Sequence, residues 1–277
     1  MNGWLEIRRG SAPLIVSLPH TGTDIPQDIE ERLLSPWLGR KDTDWWVHRL
    51  YDMAAQSQAT TIRTMISRTV IDVNRDPSGT SLYPGRSTTA LCPITTFDGE
   101  PLYRAGCEPD ELEIAARRER FFDPYHTALA VEIQRLRSQH PALVLYDAHS
   151  IRSRIGRLFD GVLPNFNIGT NQETSCDPAL TRSIEAVCAA SAFSWITNGR
   201  FRGGWTIRHY GQPTHGVHAV QMELACRGYL AEPDGPLDPQ NWPAAFDPAR
   251  AQELSRVLAR VLAGCIEFLN GLRRRDA

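Results

Sequence analysis

The chain has 277 residues, 30 Lys and Arg against 32 Asp and Glu for a formal charge of −2, and 42% hydrophobic content. That composition belongs to a globular protein with a sizeable core, and the mixed charges set up no overall field favouring nucleic acid or an anionic membrane. No stretch approaches the ~20 consecutive apolar residues of a membrane span, MNGWLEIRRG lacks the apolar segment of a secretion signal, and six cysteines are scattered without CxxC spacing; a cytoplasmic protein with reduced thiols is expected.

In chain order, PLIVSL (13–18) is an apolar run of the kind that forms a strand buried on both faces, and it leads into His20. Trp46, Leu50, Met53 and Ala54 recur near the helical period, and TTIRTMI (60–66) is a candidate strand. Asn74 to Tyr103 is long, rich in Gly, Pro, Ser and Thr, and aperiodic; loops of that length are usually functional or disordered. Leu129, Ile133 and Leu136 mark a helix, followed by candidate strands PALVLYDA (141–148), FNIG (166–169), SWITN (194–198) and GVHAVQMEL (216–224). Leu254, Val257, Leu258, Val261, Leu262 and Ile266 mark a last helix whose end, Arg273 to Arg275, is expected to be solvated. Strands alternating with helices indicate an α/β fold with a mostly parallel sheet and helices on both faces. No repeat or linker interrupts it, so one domain is expected over residues 1–277.

Ligands of open α/β sheets bind at the carboxyl ends of the strands, and three candidate strands end in informative residues. His20 follows the first; alone it would more often be structural. In LYDAHS, Asp147 and His149 are two apart and share a face. An imidazole beside a carboxylate suits a metal ligand with an orienting partner, a hydrogen-bonded pair capping the strand being the plainer account. In GVHAVQMELA, Gln221 and Glu223 share a face of an apolar strand. A carboxylate there is either paired or raised in pKa, and the second is what a general base requires.

Zinc hydrolases commonly hold the ion with three groups drawn from His and Asp/Glu. KDTDWWVHRLYD offers Asp44, expected in the first turn of a helix capped by Asp42 or Thr43, where an acidic residue is favoured in any case; Asp24 and His48 are rivals. Arg68 and Arg75 bound one motif and Arg202 and Arg208 another. Guanidinium forks suit an anionic small molecule, although Arg75 could instead pair with Asp72 or Asp76. Gly203 and Gly204, before Trp205, permit a tight turn or a close backbone approach.

The segments PLIVSLPHTG, DTDWWVHRLYD, SRTVIDVNR, LYPG, FDGEPLY, LYDAHSIRS, LFDGVLPNFNIGT, SCDPAL, NGRFRGGWTIRHYG and GVHAVQMELA run in order from about residue 13 to 230. Together they resemble the N-formylglutamate deformylases (N-formylglutamate amidohydrolases) of bacterial histidine degradation. The resemblance implies hydrolysis of N-formyl-L-glutamate to L-glutamate and formate. It also implies a three-layer α/β/α sandwich around a mostly parallel mixed sheet, like the zinc carboxypeptidases and related phosphorylase- and hydrolase-like folds. On the matching motifs it implies one divalent ion, zinc, held by His20, Asp44 and His149, with Glu223 as base; Asp147 would orient His149. The His20 to Asp44 spacing is longer than the His-x-x-Glu of carboxypeptidases, which keeps Asp24 as an alternative. A diacid substrate gives a reason for Arg68, Arg75 and Arg208, with Asn74 and Thr206 supplying neutral hydrogen bonds. Partners other than this small anion, whether nucleic acid or membrane, are not expected, and the sequence leaves oligomeric state open. The competing functions are another metal-dependent N-acyl amino-acid deacylase or amidase of this fold, and a non-catalytic metal-binding protein.

Overall fold

The computed structural model describes residues 3–82, 85 and 88–275, apart from the side chain of Arg275. Every apolar run singled out above becomes a strand: β2 (Leu14–Leu18), β3 (Thr60–Thr64), β4 (Leu143–Ile151), β5 (Phe166–Gly169), β6 (Trp195–Thr197) and β7 (Val217–Ala225), with β1 (Leu5–Arg8) added at the start. They form one seven-stranded sheet in the order β1-β3-β2-β4-β7-β5-β6. The middle strands β3, β2, β4 and β7 are parallel, whereas β1 runs antiparallel to β3, and β5 antiparallel to β7 with β6 alongside it. The sheet is thus parallel at its centre and reversed at both edges.

Among the described residues seven α-helices accompany it: α1 (Gln27–Glu30), α2 (Val47–Leu50), α3 (Glu111–Arg117), α4 (Asp123–Arg137), α5 (Pro178–Ala189), α6 (Trp205–Tyr210) and α7 (Pro248–Arg275). Residues of α2, α5 and α7 pack on one face, against Leu14, Val16, Val144, Tyr146, Val220 and Met222. The other face, Ile15, Ile62, Leu143, Leu145 and Ala219, is covered by Phe121, Phe122, Tyr125 and Leu129 and by Ile207 of α6. This is a three-layer α/β/α sandwich, and β2, β4 and β7 are fully buried because both of their faces are covered. In α5, Leu180, Ile184 and Cys188 are buried one turn apart, and Asp177 caps the start by accepting the Ala179 N–H at 2.7 Å.

The helix expected around Trp46 to Ala54 is shorter. Trp46 adopts φ 62° as the residue before α2, and Met53 and Ala54 belong to a separate 3-10 turn, Asp52–Ala55. Asp44 therefore precedes the helix instead of occupying its first turn, and the macrodipole does not explain it.

All six cysteines are free thiols, five of them buried, and no helix of the described residues is long and apolar enough to cross a membrane. Arg273 and Arg274 at the end of α7 are exposed. In the 74–103 stretch, Tyr83 and Pro84 of LYPG, together with Arg86 and Ser87, lie outside the described residues.

Strand register positions the site. Ser17 pairs with Asp147, Asp147 with Gln221, and His149 with Glu223. On the α4 and α6 side, β2, β4 and β7 turn polar toward their carboxyl ends: Ile15 gives way to Ser17, Leu145 to Asp147 and His149, and Ala219 to Gln221 and Glu223. The intervening residues Val16, Tyr146, Ala148, Val220 and Met222 stay in the opposite core. Alternation of side chains thus gathers the polar groups at one end of one face.

Candidate active site

His20 lies just beyond β2, and its carbonyl accepts the Asp44 N–H at 3.0 Å, which ties the segment before α2 to the strand end. The two imidazoles face one another with Nδ1 atoms 3.1 Å apart. Asp44 Oδ2 lies 3.1 Å from His149 Nδ1 and 3.7 Å from His20 Nδ1. All three residues are buried.

The opposite ring nitrogens decide what those three atoms can do. His20 Nε2–H donates to Asp72 Oδ1 at 2.7 Å, and His149 Nε2–H donates to Asp147 Oδ2 at 2.8 Å. An ionised carboxylate only accepts, so each Nε2 carries a proton, and in its neutral form each ring presents a lone pair at Nδ1. Two nitrogen lone pairs and a carboxylate oxygen then converge with nothing but acceptors among them. Asp44 Oδ1 is in addition buried without a hydrogen-bond partner among the described residues. Such a donor set fits a divalent cation: neutral imidazoles and a carboxylate as ligands, with carboxylates orienting the rings from behind.

Each orienting carboxylate is itself held. Asp147 Oδ1 accepts from Ser17 Oγ at 2.7 Å, and Ser17 lies 2.8 Å from the Tyr125 hydroxyl of α4. Asp72 accepts from the Asn74 N–H at 2.9 Å and from Arg68 Nη2 at 2.7 Å, with Arg75 Nη2 at 3.7 Å. Burial works to raise the Asp72 carboxyl, but Arg75, His20 and Arg68 overcome it and hold the group well below the usual range. Burial lowers His20, and the Arg68 charge adds to it. Burial also works to lower His149, yet Asp147 and Asp44 outweigh it and raise that ring well above its ordinary value.

The rival ligands are placed elsewhere. Asp24 is exposed and bridges Ile66 through its backbone. His48 lines a separate cleft with Tyr51 and Arg63.

Glu223 stands beside the His149 strand position. Its Oε2 accepts from Gln221 Nε2 at 3.3 Å, and Gln221 Oε1 accepts the Gly204 N–H at 2.7 Å, which fixes the amide in the orientation that donates to Glu223. Burial pushes the Glu223 carboxyl up to about 8. A buried carboxylate so poised is suited to proton transfer near neutrality.

His20, His149, Gln221, Glu223, Arg68 and Arg75 line one cleft with about 590 Å³ of empty space, mouth included, within the range of small-molecule sites. Thr88, Thr89 and Phe97 of the long loop close one side.

Asn74 also lines the cleft, but its amide is engaged in the scaffold. Nδ2 donates to Asp147 Oδ2 at 3.1 Å and lies 3.0 Å from His149 Nε2, and Oδ1 accepts the Thr206 N–H at 2.8 Å. A Cβ on Gly204 would stand 2.3 Å from that amide, so only glycine fits there. Thr206 is fully buried and is not among the residues of the cleft wall. Arg208 also lies off the wall, with Nε donating to Gly203 O at 3.0 Å. Thr206 and Arg208, both expected to contact substrate, thus follow the turn through Gly203 and Gly204 without lining this cleft. Two residues that the sequence did not single out for the site belong to it, Asp72 behind His20 and Arg200 in the cleft wall. The first was legible only as a partner of Arg75, and the second sits in the NGRFRGG stretch beside the arginine that drew attention instead.

Residues 12–230 match the family model described as N-formylglutamate amidohydrolase. A protein of Pseudomonas aeruginosa named N-formylglutamate deformylase is 46% identical over 233 residues, covering 84% of this chain and 87% of the relative. One of Pseudomonas putida with the same name is 43% identical over the same shares. The crystal structure of N-formylglutamate amidohydrolase from Ralstonia eutropha JMP134 shares 22% identity and superposes over 99% of both chains with a TM-score of 0.78, a likeness of fold.

Proposed function

Because the chain belongs to the N-formylglutamate amidohydrolase family, we propose that it hydrolyses N-formyl-L-glutamate to L-glutamate and formate, using a divalent ion held by His20, Asp44 and His149. The observation that carries this is the convergence of His20 Nδ1, His149 Nδ1 and Asp44 Oδ2 beside Glu223 in a cleft that also presents arginines. Zinc is the ion we assign, from the His and carboxylate donor set; once bound it supplies Lewis-acid polarisation of the formyl carbonyl and acidifies the attacking water.

The chain's own residues supply the rest. Ionised Glu223 takes a proton from the water as its oxygen bonds to the formyl carbon, then delivers that proton to the glutamate nitrogen as the C–N bond breaks. Gln221 holds the carboxylate in place through both stages. Arg68, buried at the cleft wall, puts fixed positive charge where the carbonyl oxygen becomes anionic. The α-carboxylate is one carbon from the reacting nitrogen, so it lies near the metal ligands, where Arg75 approaches Asp72. Asp147 and Asp72 keep the rings in the ligating tautomer. A place as the last step of histidine degradation, in the cytoplasm, is part of the same proposal and rests on the sequence resemblance.

Turnover of N-formyl-, N-acetyl- and N-carbamoyl-L-glutamate tests the assignment. A methyl group is worth ~1–3 kcal/mol of discrimination, so formyl is expected to lead with slower acetyl turnover. A faster acetyl or carbamoyl substrate would instead make the protein a deacylase of the same chemistry.

A further inference from the structure

Among the described residues three arginines line the cleft, and they are not equivalent. Arg68 donates from Nη2 to Asp72 at 2.7 Å, places Nη1 3.6 Å from Asp44 Oδ1, and lies over the Phe97 ring. Arg75 donates from Nε and Nη2 to the carbonyl and hydroxyl of Thr89 and approaches Asp72 at 3.7 Å. Both therefore share Asp72, the carboxylate that orients His20, and both belong to the metal-ligand end.

Arg200 comes from the connection between β6 and α6. Its Nε donates to Leu158 O at 2.7 Å, and its guanidinium lies 5.2 Å from the centre of the Phe201 ring. Leu158 and Phe201 line the cleft together with Ile151, which follows His149 by two residues on β4. Ile151 sits in an apolar cluster with Phe97, against which Leu158 and Phe201 pack. Beside the metal ligands the lining thus includes an apolar wall, and an arginine is anchored on that wall.

We propose that Arg200 receives the side-chain carboxylate of the glutamyl group, with Ile151, Leu158 and Phe201 packing its methylenes, while Arg75 takes the α-carboxylate. This rests on the N-formyl-L-glutamate reading and makes Arg200 the residue that selects an acidic over a neutral side chain. The cleft wall thus offers each kind of group the substrate would need: arginines tied to Asp72 behind His20, apolar side chains for the methylenes, and a further arginine beside them. A guanidinium fork rewards a carboxylate with two charge-assisted hydrogen bonds that a neutral amide cannot match. Arg208, one of the three arginines expected to meet a substrate carboxylate, is not among the lining residues.

The test compares wild type with Arg200→Gln and Arg200→Lys, each checked for fold by circular dichroism and for metal content. kcat/KM is measured for N-formyl-L-glutamate and N-formyl-L-glutamine, and calorimetry gives Kd for L-glutamate and L-glutamine. In Arg200→Gln, kcat/KM for the diacid is expected to fall ~10- to 100-fold, as for a lost charged hydrogen bond, while the glutamine substrate is little changed; Arg200→Lys recovers part of the loss. L-glutamate binding weakens in parallel and L-glutamine binding does not. Equal losses on both side chains, or none, would overturn the proposal. A wild type that binds L-glutamate but releases no formate would sink the proposed reaction, and the binding comparison would still decide the role of Arg200.

Discussion

Replacing Asp72 by Asn removes one charge and almost no volume from the centre of the ligand scaffold. Oδ1 accepts His20 Nε2–H at 2.7 Å and the Asn74 N–H at 2.9 Å, while Oδ2 accepts Arg68 Nη2 at 2.7 Å. An asparagine has one acceptor oxygen. Turned to keep His20 and Asn74, its NH2 faces the Arg68 guanidinium, donor against donor; turned the other way, it faces His20 and no longer favours the Nε2–H tautomer. In the first case Arg68 keeps only Asp44, at 3.6 Å. Breaking one side of a buried ion pair typically costs ~3–5 kcal/mol of stability, and loss of an orienting partner costs ~10–100-fold in metal affinity. Competition against a chromophoric chelator measures the affinity, and thermal unfolding of the metal-free protein measures the stability. Unchanged affinity in an equally stable protein would refute the tautomer argument.

Three further outcomes are expected. Glu223→Gln keeps the metal, measured by elemental analysis, and lowers kcat by ~10²–10⁴-fold, the usual contribution of a positioned acid–base group; an active Gln variant would place the base elsewhere. Only ionised Glu223 accepts a proton, so kcat/KM rises with pH and is lost as pH falls through the Glu223 pKa. Burial puts that value at about 8, and a bound cation moves the limb to lower pH; a pH–rate profile that falls over this limb would contradict the assignment. Asp44→Ala loses the metal while Asp24→Ala retains it, read as bound metal per chain after gel filtration; the opposite pattern would restore Asp24 as the ligand.

The central strands were legible because burial on both faces writes a largely apolar run, as in LIVSL and VHAVQMELA, broken only where the site's polar residues and His218 fall. β1 was not, since it is a four-residue edge strand, LEIR, only partly buried. Reversal of β5 against β7 leaves no local trace either, because direction is set by the path of the connections. His20, His149 and Glu223 could be picked out as polar residues at the ends of apolar strands, a pattern with a physical reason behind it. Asp44 was picked out for a helix position that it does not occupy; what fixes it is a backbone bond to His20 and acceptance of the Ser150 N–H at 3.1 Å. Asn74 had the right neighbourhood, but its role as a tie between β4 and the start of α6 depends on contacts spanning 73 and 132 residues of chain. Asp72 and Arg200 escaped for the same reason: nothing next to them in sequence says that one stands behind a histidine and the other in the cleft wall.

Formate release from N-formyl-L-glutamate, measured on metal-free protein and on the same protein after zinc is restored, tests the central claim most directly. Activity lost with the metal and regained in proportion to zinc bound at His20, Asp44 and His149 is the expected result. Undiminished formate release from the metal-free protein would contradict it.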